Sequence, residues 1–316
     1  MNIAIIGAGL AGLTLANKLS PDHAVTVFEK ARGPGGRMST RRAPPFAFDH
    51  GAQYFTAESA AFQDFLQPLQ TAHTVTEWPG EIELRGGAKV STKRKFAATP
   101  GMNAICKHLA ETIDVRAGIK VETLRRQADE WYLTDATGAQ TGPFDWVVST
   151  APAPQTAALF PETFEGYDRI TGAKMQGCFA LMLGFDSALD LSWAALKSGT
   201  PPVDWIAVNS QKPGRGDACS LLIQSSNAWA EAHLEDDPDA VAAALCAAAS
   251  DLTNVDLGAA SHQALHRWRY AATQVPAGVP YLKDQSLQLA ACGDWCIGGK
   301  VEAAFLSADA LAKSFQ

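Results

Sequence analysis

A chain of 316 residues with 47% hydrophobic, 19% charged and 9% aromatic side chains can bury a large core in one or two domains, which excludes a disordered segment. Its 26 basic against 33 acidic residues leave a net charge of −7, so the surface is not built to neutralise phosphate chains and nucleic acid is not an expected partner. No run of apolar residues is long enough to span a bilayer, and the N-terminus enters a strand-like run without a basic leader. The expectation is therefore a soluble, untargeted, cytoplasmic chain with no membrane partner.

The elements start with an apolar strand from Asn2 to Ile6, a glycine-rich turn, a helix to about Leu19 stopped by Ser20-Pro21, and a second strand from Ala24 to Phe28. This is a βαβ unit and implies a parallel sheet. The following loop, ARGPGGRMSTRRAPP, is dense in Gly, Pro and Arg and is expected to lack regular structure. Three short strands between Val115 and Thr150 (IKVETLRR, WYLTDA and FDWVVST) are separated by polar turns and suggest an antiparallel meander. Residues 178–185, 203–208 and 219–225 are strand-like again and point to a second sheet in a second domain. There Asp237 can cap, and Pro238 open, a helix whose Val241, Leu245, Ala248 and Leu252 share an inner face. The tail holds a strand in SLQLAAC, a Gly293-Asp294-Trp295 turn, a Gly298-Gly299 pair and a helix from about Val301 to Phe315. The six cysteines (Cys106, Cys178, Cys219, Cys246, Cys292 and Cys296) are scattered, which argues against both disulfides and structural zinc. The sequence carries no repeat and no signal for oligomeric state.

The chemistry begins at GAGLAG, Gly7 to Gly12, placed between strand and helix, with Glu29 ending the next strand. Gly7 allows the tight turn, Gly9 lets the backbone approach a pyrophosphate at the helix N-terminus, and Gly12 lets helix and strand pack closely. The helix dipole and free N–H groups would hold the anion, while Glu29 would accept hydrogen bonds from both ribose hydroxyls and repel a 2′-phosphate. That fingerprint serves flavin and nicotinamide dinucleotides alike. Six residues after Glu29, Gly35-Gly36-Arg37 adds a guanidinium that can clamp a pyrophosphate, with Arg32, Arg41 and Arg42 nearby.

The combination of GAGLAG, EKARGPGGRMSTRR, FDHGAQYF, TPGMNAICKHLA, VVSTAPAPQ, HRWRYA and LAACGDWCIGGKVEAAFLSADALA resembles the FAD-dependent amine-oxidase superfamily and, within it, the renalases, along nearly the whole chain. The resemblance implies an α/β fold. A discontinuous Rossmann-type FAD-binding domain (residues 1–50, 96–152 and 286–316) would carry an α+β substrate domain on a mostly antiparallel sheet (51–95 and 153–285). It further implies that Gly7, Gly9, Gly12, Glu29 and Arg37 hold the ADP part of FAD, joined by Ala8, Leu10, Ala11, Lys30, Gly36, Met38 and Ala151, with Val121 against the adenine. Gly293 and Asp294 would lie near the ribityl and pyrophosphate groups, and the helix opened by Val301 and Glu302 would aim its N-terminus at the flavin pyrimidine carbonyls. The chain departs from the superfamily's usual Glu-Gly-Ala at Glu302-Ala303-Ala304. Cys292 and Cys296 do not match a flavin-attachment setting, so the FAD is expected to be non-covalent.

Hydride transfer asks of the protein orientation and dryness rather than a nucleophilic triad, and none is visible. Gln53 and Tyr54, with His50, resemble residues that turn toward the isoalloxazine. His266, Trp268 and Arg269 are the other group expected at the pocket, with Trp268 stacking on a planar ring and Arg269 or His266 holding a carboxamide or phosphate. His262 and His266 are spaced i, i+4, which on a helix would mimic a metal pair; with no third ligand nearby, no metal is expected. The resemblance implies an oxidase taking hydride from dihydro isomers of NAD(P), with O2 as partner and H2O2 as product. An amine substrate and a non-catalytic FAD-binding redox protein stay open as alternatives.

Overall fold

The computed structural model describes residues 1–315, so the end of the last expected segment, at Gln316, lies outside the described residues. Strand Asn2–Ile6 sits in the middle of a six-stranded sheet. The order is Leu282–Asp284, Leu289–Ala291, Trp146–Ser149, Asn2–Ile6, Ala24–Glu29 and Asp114–Ala117. All pairings are parallel except the edge pair, Leu282–Asp284 with Leu289–Ala291. Ile3, Ala4 and Ile5 are fully buried, as a strand covered on both faces requires. Helix Leu10–Leu19 and the C-terminal helix Val301–Lys313 cover one face, where Leu13, Leu15 and Ala16 meet Phe305, Ala308 and Leu311 in one cluster. The sheet thus takes strands from the first, middle and last parts of the chain.

Two local expectations are corrected. The Arg-rich loop is not irregular: a short 3-10 turn at Gly36–Met38 leads into strand Thr40–Ala43, which pairs antiparallel with Phe46–Asp49. The hairpin forms because Phe46 and Phe48 alternate on one face and find apolar cover on Ala180, Met182 and Leu222. The meander, in turn, is shorter than its third segment suggested. It comprises Val121–Gln127, Glu130–Asp135 and Gln140–Phe144, while Trp146–Ser149 leaves it for the parallel sheet. The continuous burial of Trp146, Val147, Val148 and Ser149 marks a strand covered on both faces, unlike the alternating meander.

The second sheet runs His262–Val275, Lys174–Phe185, Cys219–Ser225, Val203–Val208, Ala195–Lys197 and Ile82–Leu84, antiparallel except for its last, parallel pair. Helix Pro238–Thr253 closes one face through Val241, Ala242, Leu245 and Ala249, and the Asp237 carboxylate accepts from the Asp239 and Ala240 amides at 3.0 Å each. The Phe46/Phe48 hairpin closes part of the other face and lies along the edge strand His262–Val275. That edge, next to the first sheet's loops, is where the site residues gather.

Candidate active site

The glycine turn has the form a pyrophosphate needs. A Cβ on Gly12 would collide with the Gly7 carbonyl oxygen, so only glycine lets the helix start this close to the strand. A Cβ on Gly9 would meet nothing within 4 Å, which leaves an open cradle at the helix N-terminus. Helix Leu10–Leu19 has no side-chain cap at Gly9, so the orphan N–H groups of its first turn are left for a ligand. Gly35 donates to the Ala8 carbonyl at 2.9 Å, bringing the Gly35-Gly36-Arg37 loop over the turn, and Gly36 approaches Gly9. Glu29 is buried and accepts from the amides of Ala8 at 2.8 Å and Ala31 at 2.7 Å, which fixes its carboxylate at the edge of the cradle. Leu10 and Ala11 are buried in helix packing, and Met38 is buried in the same core cluster. Lys30 lies exposed at the strand end, 3.4 Å from the Gln155 amide oxygen. Val121 is buried in an apolar cluster with Ile6 and Phe28.

The two ends of the chain meet here. Arg37 holds Asp294 with both guanidinium arms, one at 2.8 Å, and reaches the Ala271 carbonyl at 3.4 Å. Gly293 donates to the Ser307 hydroxyl at 2.9 Å, and the Trp295 indole donates to the Ala151 carbonyl at 3.0 Å. Helix Val301–Lys313 has no side-chain cap at Lys300, so its first turn is open to an acceptor. The Glu302 carboxylate does not serve the cofactor side. It turns to the start of helix Ala60–Thr71 and accepts from the Glu58 amide at 2.9 Å and the Ser59 amide at 2.6 Å.

The segment FDHGAQYF leaves the hairpin and turns over Arg37, whose carbonyl accepts from the Ala52 amide at 2.9 Å. His50, His266 and Trp268 form one cluster. The His50 ring stacks on Trp268 at 5.1 Å, meets the His266 ring edge-on at 4.9 Å, and its carbonyl accepts from the Trp268 indole at 2.8 Å. Burial pushes the His50 imidazole down to about 4, helped by the neighbouring His266 and Arg41 charges, and burial followed by Arg41 pushes His266 to about 4. Both rings are neutral at physiological pH.

Arg269 is not part of this group. Successive side chains of a strand point to opposite faces, so placing His266 and Trp268 inward turns Arg267 and Arg269 outward. Arg269 is exposed and forks onto Glu235 at 2.5 and 3.1 Å. The same strand geometry answers the His262/His266 spacing: the pair lies on an extended strand rather than a helix, and His262 stacks on Phe48 at 5.6 Å. Tyr54 lies apart from the imidazoles, in a trio with Trp78 at 5.8 Å and Trp205 at 5.6 Å, where burial raises its phenol pKa.

Sequence reasoning missed the charged hub beneath Gln53. Asp49, Lys212 and Arg215 are buried, with side chains 0%, 0% and 2% exposed. One Asp49 oxygen takes Arg215 and, at 3.4 Å, Lys212; the other takes the Thr40 hydroxyl at 2.7 Å and the Met102 amide at 3.0 Å. Lys212 also donates to the Gln53 side-chain oxygen Oε1 at 3.0 Å, while the Gln53 side-chain nitrogen Nε2 donates to the Asp49 and Gly51 backbone carbonyls. Burial would raise the Asp49 pKa, but the Lys212 and Arg215 charges outweigh it and hold the carboxylate ionised; burial pushes Lys212 down to about 8. Lys212 and Arg215 lie in QKPGRG, whose composition signals only a turn, and nothing local to it announces a partner 163 residues away.

A parallel sheet carrying this turn, acid and open helix start defines a dinucleotide-binding domain. Residues 5–69 match an NAD(P)-binding Rossmann-like domain, and residues 82–313 match the model of the flavin containing amine oxidoreductases. The chain belongs to that flavin containing amine oxidoreductase family, and it is an FAD-dependent enzyme. A 4,4'-diapophytoene desaturase of Staphylococcus aureus (strain Newman) is 37% identical over 81 residues, 22% of this chain and only 16% of the desaturase. The fold matches a structure from Exiguobacterium sp. 255-15 described as a candidate protoporphyrinogen oxidase (TM-score 0.79, 12% identity, 99% of this chain and 98% of that one). It also matches a reduced UDP-galactopyranose mutase (TM-score 0.75, 13% identity, 99% and 95%). At such identities the structural likeness is one of fold.

Proposed function

We propose that this flavoenzyme is a renalase-like oxidase that oxidises dihydro isomers of NAD(P), the dihydronicotinamide giving hydride to flavin N5 and O2 receiving the electrons as H2O2. FAD, bound non-covalently, supplies the redox chemistry. Gly7, Gly9, Gly12, Glu29 and Arg37 bind its ADP part, Asp294 and the Val301 helix its ribityl and pyrimidine side. Covalent attachment is opposed by the burial of Cys292 and Cys296, which pushes both thiols up, Cys296 to about 12, and keeps them protonated.

One observation carries the substrate reading. The cluster of His50, His266 and Trp268 offers neutral rings and, among the described residues, no free carboxylate. Asp49 is taken by Lys212 and Arg215, Asp294 by Arg37, and Glu302 by two backbone amides. Such a set of side chains suits a planar, uncharged nicotinamide on an anionic carrier better than a substrate that arrives as an ammonium ion. Trp268 gives the plane and His266 a neutral donor or acceptor for a carboxamide, while Lys212 immobilises Gln53.

Amine oxidation is the alternative, because the family takes its name from it and Tyr54, Trp78 and Trp205 supply an aromatic trio. Their centroids stand 5.6 to 6.5 Å apart, the spacing of rings in mutual contact, so the trio packs on itself rather than flanking a slot. The test is anaerobic mixing with 2- or 6-dihydroNAD. Bleaching of the flavin absorbance is expected; no bleaching, with peroxide released from polyamines or arylamines in a separate assay in air, would reverse the assignment.

A further inference from the structure

Cations around the edge strand His262–Val275 can be sorted by whether they already have a partner. Arg37 is forked onto Asp294, Arg267 and Arg269 share Glu235, and Lys212 and Arg215 share Asp49. Arg41 has no carboxylate within 4.0 Å among the described residues, and it is exposed. Its place follows from the hairpin register. Arg41 stands opposite Phe48, and cross-strand partners share a face. That face leans on the edge strand, with Phe48 stacked on His262 and, two residues on, His50 against His266. An arginine side chain at this register reaches toward the two imidazoles from the solvent side. Its electrostatic effect on both rings has the same meaning: Arg41 disfavours protonation of His50 and of His266.

The arrangement separates two tasks. The inner surface of neutral rings cannot balance a negative charge, and the outer edge carries an unspent guanidinium, the group best shaped for a phosphate. We propose that Arg41 is a specificity residue that binds a phosphate of a dinucleotide substrate at the mouth of the site while the nicotinamide end lies at His266 and Trp268. The inference rests on the dihydronicotinamide reading and adds the part of the substrate that this reading left unassigned. Arg42, opposite Ala47 on the other hairpin face, has no such role.

The experiment compares Arg41→Gln with wild type in the FAD-loaded protein, using a dihydro isomer of NAD and the matching dihydronicotinamide riboside, which lacks phosphate. A charge-assisted hydrogen bond lost at a partly exposed site corresponds to roughly a tenfold loss of affinity. The apparent Kd for the dinucleotide is expected to rise about tenfold in the variant, the Kd for the riboside to stay within about twofold, and the limiting rate of flavin reduction to hold for both. Binding of ADP-ribose, followed by perturbation of the flavin spectrum, should weaken in parallel and lose its salt dependence, and Arg41→Lys should recover part of the affinity. An unchanged dinucleotide Kd would overturn the inference. Equal losses for dinucleotide and riboside would reduce Arg41 to a structural residue, and loss of FAD would reassign it to the cofactor; either also overturns it. If the wild type is bleached by neither compound, the substrate reading itself has failed and the inference goes with it.

Discussion

At the scale of single residues, two positions convert local physics into measurable function. Gly9 needs no special backbone angle, and a Cβ there meets no protein atom within 4 Å; the space is open to the pyrophosphate that the proposed FAD site puts there. Gly9→Val should therefore fold and purify colourless, with FAD affinity reduced at least a hundredfold by flavin titration; a yellow protein of unchanged affinity would remove the turn from the cofactor site. His50 and His266 make a prediction with a definite sign. Both titrate near 6.5 when unfolded and near 4 when folded, so between those values the unfolded chain binds more protons. Stability should be flat with respect to these groups above about pH 6.5 and fall progressively as pH drops toward 4. The melting temperature of FAD-saturated protein, followed from pH 7.5 to 4.5, should show that slope. His266→Gln should make it shallower, and an unaltered slope would mean the ring is solvated. The buried hub is the third residue-scale feature. Asp49→Asn leaves two cations facing one neutral amide with no solvent, and removal of one partner from a buried ion pair costs about 3–5 kcal/mol, so denaturant unfolding should show a loss of that order.

At the scale of elements, Glu302 shows how one residue can join two helices. It lies in the first turn of helix Val301–Lys313, yet its carboxylate receives the amides that precede helix Ala60–Thr71, where Ser59 caps Phe62 at 3.3 Å. A negative charge there complements the dipole of the second helix and leaves the first turn of the first helix without a side-chain cap. Glu302→Gln should then cost about 1–2 kcal/mol in thermal or denaturant unfolding with FAD affinity within about twofold; a large loss of FAD with intact stability would return Glu302 to the cofactor site. What the sequence revealed and what it hid divide along the same line of local against distant causes. The opening βαβ unit was legible because apolar period, glycine spacing and a terminal acid all lie within 29 residues, and the Asp237-Pro238 helix start because capping is a contact over two or three residues. The Thr40–Ala43 strand was not, because Arg41-Arg42 followed after Ala43 by Pro44-Pro45 resembles a loop until Phe46 and Phe48 find Ala180 and Met182 across the domain. HRWRYA reads in sequence as one cluster that includes Arg269, and the twofold alternation of a strand divides that cluster between two faces. The Lys212–Asp49 pairing depends wholly on tertiary structure.

At the scale of the molecule, the parallel sheet depends on strands contributed by residues 2–29, 114–149 and 282–291, and the site closes only when Arg37 from the first meets Asp294 just beyond the last. The first end supplies an open glycine turn, the last an uncapped helix, and the Ala271 carbonyl on the second sheet accepts from Arg37. FAD would therefore act as a ligand of the whole fold, binding the native state and not the unfolded one, and at a hundredfold excess over Kd it contributes about 2.7 kcal/mol. Asp294→Asn keeps the shape but removes the charge that orients Arg37. It should weaken FAD binding about tenfold, halving the cofactor-dependent rise in melting temperature at that concentration, while the apoprotein melts within a few degrees of wild type. Differential scanning fluorimetry across an FAD titration reads both terms at once. An unchanged FAD-dependent rise would show that the Arg37–Asp294 pair holds the chain ends together without reaching the cofactor.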